Sequence, residues 1–178
     1  MRVVLLLLLS FIANQSIASN LEKARKLFFR IEESRNNALE LQHITAQGVK
    51  NGNLLLTGYH AVATANLALH TIMPISKYNY FRQGRDMIED AILQMPDNVE
   101  LRFLRLTIQI GTPAFLNYNH HIATDREMIL AHLEKQAGIW KHEAQFWSMV
   151  LVYLRDRSRP DQASRARILK LMESNTLT

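Results

Sequence analysis

From residue 20 onward, apolar residues recur at intervals of three and four, the spacing that puts side chains on one face of an α-helix. Leu21, Ala24, Phe28 and Ile31 form the first such face, with Glu22, Lys23, Arg25, Lys26 and Arg30 outside it. Asn20 or Ser19 is placed to cap its start, and Ser34 to cap a second helix through Ala38, Leu41 and Thr45. Gly48 and Asn51-Gly52-Asn53 then read as a turn, since Gly and Asn tolerate positive φ. Leu55, Gly58, Val62, Ala65, Leu69 and Ile72 predict one helix from Leu54 to Met73, closed by Pro74. Gly58, Ala61, Ala65 and Ala68 narrow it, so a neighbour can approach closely.

Phe81, Gly84, Ile88, Ala91 and Met95 predict the next helix, from about Lys77 to Pro96. Arg82 with Asp86, and Arg85 with Glu89, have the i,i+4 spacing of exposed ion pairs. Asp97 and Glu100 have capping-box spacing. The helix from Asn98 to Ile110 carries two apolar stripes and belongs in the middle of a stack; only Arg102, Arg105 and Gln109 are polar in its body. Gly111-Thr112-Pro113 stops it. Residues 114–121 lack periodicity and read as a loop. A helix starting at His121 or at a Thr124…Glu127 capping box then runs to Ala137, where Gly138 ends it. Trp140 to Leu154 marks a strongly apolar helix, and Ser158-Arg159-Pro160-Asp161 starts the last one. No stretch alternates like a strand. The expected fold is all-α: stacked antiparallel helical hairpins, about seven helices in one domain over residues 19–178.

Ahead of this domain, a single Arg2 precedes an apolar run from Val3 to Ala13 that is too short to span a bilayer, which takes roughly 20 residues. With Ser16 and Ala18 before a cut at Ser19, residues 1–18 are expected to be a secretory signal peptide, and the chain periplasmic or secreted, with no transmembrane segment after cleavage. The absence of cysteine excludes disulfides, thiolate metal sites and a lipid anchor on cysteine, so the domain must be held by its core. Without Arg2, 20 basic and 16 acidic residues leave a charge of +4. The charges mostly alternate, and export removes nucleic acid as a partner.

Residues 78–104 carry Gly84, Ile88, Ala91 and Pro96 at the small–apolar–Ala–Pro spacing of the second helix of a tetratricopeptide repeat, followed by Asp97-Asn98-Val99-Glu100 at the position of a repeat junction. The chain therefore resembles a degenerate tetratricopeptide-like stack, departing from the pattern where the repeat's aromatic and leucine positions fall on Arg102 and Arg105. Leu55-Leu56-Thr57-Gly58-Tyr59, Tyr80-Phe81, Val99 to Arg105 and Leu116 to Asn119 are also similar to a group of uncharacterised exported proteins of Bacteroidota. That likeness implies export and no mechanism.

Little of the chemistry-bearing inventory converges. His43, His60, His70, His120, His121, His132 and His142 include no i,i+3 or i,i+4 pair, so no metal site is expected. No nucleophile elbow or phosphate loop is present, no catalytic residue stands out and no cofactor is expected. The basic tail from Arg155 to Lys170 reads as a solvated last helix or, alternatively, as an electrostatic contact for acidic partners that salt would weaken. The least ordinary group is Arg102, Arg105 and Gln109 with Tyr118 and Asn119 of the 114–121 loop. Arginines on an apolar helix must reach solvent, meet acids or bond carbonyls. They either tie the loop down or line a binding groove for an anion or peptide. The expected function is a protein-interaction or scaffold module with a protein partner in the cell envelope; the alternative is an envelope enzyme or small-ligand-binding protein with a site at these residues.

Overall fold

The computed structural model describes residues 18–136 and 143–176, and among them all regular secondary structure is helical, without a strand. We label the helices α1 (18–28), α2 (Arg35–Lys50), α3 (Leu54–Asn66), α4 (Pro74–Gln94), α5 (Val99–Gly111), α6 (Ile122–Lys135), α7 (Ala144–Arg157) and α8 (Gln162–Thr176). Short 3-10 helices follow α3 at Leu67–His70 and α5 at Ala114–Leu116. Among the described residues there are eight helices against about seven expected, and the two on either side of Ser34 are separate, as their patterns indicate. The expected signal run at 1–17 and the Gly138–Trp140 boundary lie outside the described residues; the expected cut after Ala18 falls at the first described residue of α1. No helix among the described residues is long and apolar enough to cross a membrane.

The chain divides into two compact units, Met1–Met87 and Ile88–Thr178. In the first, α2 and α3 pack as an antiparallel hairpin around the Asn51–Asn53 turn, where Gly52 takes φ 73°. Ser34 Oγ accepts from Asn37 N (3.2 Å) at the head of α2, and Asn53 Oδ1 accepts from Leu56 N (2.9 Å) at the head of α3. The anticipated Ser19 or Asn20 cap is absent, since α1 is already helical at residue 18. Gly48, read as part of the turn, is instead a buried helical position in α2. A Cβ on it would sit 2.3 Å from Leu56 Cδ1. The small residues do bring α3 and α4 together: a Cβ on Gly84 would lie 2.5 Å from the Ala61 carbonyl oxygen and 2.7 Å from Ala65 Cβ.

The single helix expected from Leu54 to Met73 is corrected. Regular α3 stops at Asn66, a 3-10 turn follows, and Pro74 opens α4 rather than merely closing the helix before it. Proline is well suited to a first helical turn because its missing N–H has no partner to lose there. The expected buried face therefore ends early, and Leu69 and Ile72 are exposed.

In the second unit α5 is the central helix: Leu101, Phe103, Leu104 and Leu106 are fully buried. It pairs with α6, and Phe103 meets Phe146 and Tyr153 of α7 edge-on, with ring centroids 6.3 and 5.6 Å apart. The cap of α5 is Asn98, whose Oδ1 accepts from Leu101 N (2.9 Å), in place of the Asp97…Glu100 box; Glu100 is buried in the first turn. The Thr124…Glu127 box does not form either, because α6 begins a turn sooner. α7 and α8 form the last hairpin, where Asp161 Oδ1 accepts from Ser164 N (2.8 Å) at the head of α8. Arg167 of the basic tail is tied to Glu134 (2.7 Å) and Glu127 (2.6 Å) of α6.

Candidate functional site

The polar side chains of α5 step by three and four along the helix, so they share a stripe, and packing decides what that stripe meets. Arg105 is 3% exposed. Its Nε donates to Asp125 Oδ2 (2.8 Å) and its Nη2 to Asp125 Oδ1 (2.7 Å), a two-pronged pair with a carboxylate that is fully buried in the first turn of α6. Its Nη1 donates to Glu89 Oε2 (2.9 Å) on the last turns of α4. One turn earlier, Arg102 donates from Nε and Nη2 to the Pro96 carbonyl (3.0 and 2.7 Å) and from Nη1 to Asp125 Oδ1 (3.3 Å). Arg102 thus fastens the α4–α5 turn while Arg105 fastens α5 to α6.

The loop after α5 is drawn into the same network. Asn117 adopts φ 49°, a left-handed conformation that Asn tolerates, and this turns the backbone ahead of Tyr118. Tyr118 is buried, and its hydroxyl donates a short hydrogen bond to Glu89 Oε1. Gln109 Oε1 accepts from the backbone N–H of His121 (3.2 Å), while Gln109 Nε2 is buried without a partner of good geometry. Asn119 is exposed at the loop surface.

The electrostatics follow from that packing. Burial opposes the Arg105 charge, but Asp125 and Glu89 outweigh it and leave the guanidinium held even more firmly in its protonated form. Burial first, and then the Glu89 carboxylate, push the Tyr118 phenol well above its ordinary range; Arg105 and Gln109 act the other way. His121 is pushed down, first by burial and then by the neighbouring charges of Arg105 and His120, with Asp125 and Glu89 opposing.

Of the five residues singled out from the sequence, Arg105, Gln109 and Tyr118 are buried inside this network, Arg102 is half-buried at its edge, and Asn119 alone is exposed. Sequence reasoning missed the two carboxylates. The i,i+4 spacing pairs Glu89 with Arg85 on an exposed face, whereas Arg85 pairs with Asp86 (2.6 Å) and lies over the Phe81 ring. Asp125 had no assignment. The available signal was physical rather than local: a buried arginine demands an acid, and Asp125 stands in the first turn of the helix that directly follows the loop. Chemically, both oxygens of Asp125 and both of Glu89 already accept hydrogen bonds, and the phenol is locked as a donor. The arrangement works as a clamp joining α4, α5, α6 and the loop.

Elsewhere His60 Nδ1 lies 3.0 Å from Thr45 Oγ1 between α2 and α3, and burial pushes this histidine below its usual value. Among the described residues no group of three or more His, Asp or Glu side chains is arranged to hold a metal ion. In comparison with known proteins, no family model, no curated protein and no solved structure matches the chain.

Proposed function

We propose that this chain is an exported protein-interaction module, periplasmic or secreted, built on tetratricopeptide-like helical hairpins, and that its contact with a protein partner centres on Phe115. What supports this reading is one observation: Phe115 is 84% exposed on the short 3-10 turn that the Tyr118–Glu89 bond fastens to the clamp. A large aromatic ring displayed on a restrained loop suits recognition, because rings supply much contact area and a pinned loop loses little further entropy on docking. In this reading Arg102, Arg105, Gln109 and Tyr118 position the loop, and Asn119 and Phe115 touch the partner. The network belongs to support rather than to catalysis, since its acceptors are spent internally.

The test is retention of partners from envelope extracts by immobilised residues 19–178, compared with Phe115→Ala. The expected result is loss of a specific retained protein by about tenfold or more, as for an aromatic hot spot, with an unchanged melting temperature. Equal retention by the variant would overturn the reading.

A further inference from the structure

The connector between α3 and α4 does not look like the α2–α3 turn of the same unit. Asn51-Gly52-Asn53 is polar, as surface turns usually are, whereas Leu69, Ile72, Met73, Ile75 and Tyr78 are 60, 91, 57, 73 and 48% exposed within ten residues of chain. The spacing of Leu69 and Ile72 would bury them had α3 continued; ending α3 at Asn66 turns them out. The result is a concentrated apolar tip.

We propose that this tip is a membrane-surface site that inserts shallowly into anionic lipid. Three features choose lipid over a protein groove. Side chains this exposed project with few neighbours, so they fit a deformable medium better than a matched pocket. Residues 41–85 contain no Asp or Glu; of the cations there, Lys77 lies in the tip and Arg82 two turns into α4, while Lys50 sits at the opposite end of the α2–α3 hairpin and Arg85 is paired with Asp86 (2.6 Å). Lys77 lies exposed within the tip, and the 3-10 turn packs on α2, whose first residue is the exposed Arg35. Glu32 and Glu33 precede α2, and Glu33 is paired with Arg30 (3.2 Å). Tyr78 beside Lys77 completes the set: an aromatic and a cation that favour the headgroup level, with isoleucine and methionine to go beneath it. The site lies in the first unit and does not depend on the role of Phe115 in the second.

The absence of cysteine permits a local test on the full chain. Ile72→Cys takes a single environment-sensitive fluorophore, and Arg165→Cys serves as the control. The probes are phosphatidylcholine vesicles with and without roughly 30 mol % phosphatidylglycerol. The expected result is a blue shift at position 72 with the anionic vesicles, little with the neutral ones, and none at 165. Because the label reports one position, adsorption through the amino-terminal apolar run would not imitate this pattern. An unshifted label at 72, equal shifts at both positions, or an equal response to neutral vesicles would overturn the proposal. A shift at 72 produced only by envelope proteins would also overturn it, in favour of a protein contact. As a second readout, Ile72→Ser with Ile75→Ser should move the Lys77 neighbourhood out of the bilayer, read as loss of the blue shift from a label at Tyr78→Cys; an unchanged shift would again refute insertion.

Discussion

Replacing Asp125 by alanine should be among the most damaging single changes available in the second unit. The carboxylate is fully buried and receives three charge-assisted hydrogen bonds, two from Arg105 and one from Arg102. Its removal leaves the Arg105 guanidinium, itself 3% exposed, with Glu89 as its remaining acidic partner. The Glu89 side chain is 36% exposed, so that contact is partly screened and cannot compensate for the loss. Breaking a buried pair by deleting one partner typically costs about 3–5 kcal/mol, most of it the penalty of the stranded charge. For a chain of this size that corresponds to a fall in melting temperature on the order of 6–20 °C. Urea unfolding followed by tryptophan fluorescence is a suitable assay, since Trp140 and Trp147 both belong to the second half of the sequence. The same reasoning requires that Arg105→Met with Asp125→Leu recover much of the loss, because neither member of the buried pair is then left as a stranded charge. A loss below about 1 kcal/mol for Asp125→Ala would refute the clamp. So would a double variant no more stable than the single one.

Gly84→Ala should destabilise the first unit by about 1–3 kcal/mol despite its gain in helix propensity, because the added methyl meets the Ala61 carbonyl and Ala65 at contact distances that backbone must relieve; thermal unfolding by circular dichroism checks the sign. Between pH 7 and 5.5, stability should fall as the solution becomes more acidic. His60 titrates below its unfolded value, so the unfolded chain binds the proton first; this stabilisation is complete above about 6.5 and is lost as pH falls toward the folded value. His121 shifts in the same direction, so His60→Gln should flatten the dependence in part, and an unaltered slope would exclude His60 as a contributor.

Local signals in the chain were legible where one residue and its near neighbours suffice. Ser34 caps α2 as its position indicates, because a short acceptor side chain reaches an N–H three residues on, a contact that needs no tertiary partner; Asn53 and Asp161, legible as turn and start residues, cap α3 and α8 in the same way. The two apolar stripes of α5 announced a helix buried on most sides, and it is central to its unit. Two of the failures have a common cause. Leu69 and Ile72 keep the period of a buried face beyond Asn66, where regular α3 ends, and both side chains turn outward. Arg85 and Glu89 are correctly spaced to pair, yet Glu89 serves Arg105 and Tyr118, 16 and 29 residues away.

The sequence by itself determined an all-helical chain, most of its turns, and the presence of arginines in an apolar helix that had to be satisfied somehow. Only the tertiary structure decided how. Helix period and capping are set over three or four residues, so they can be read along the chain. The acid that neutralises Arg105 is chosen by which helices meet, and Asp125 carries no mark of that role until α6 is laid against α5. The outward turn of Ile72 was decided in the same way, by where regular α3 ends.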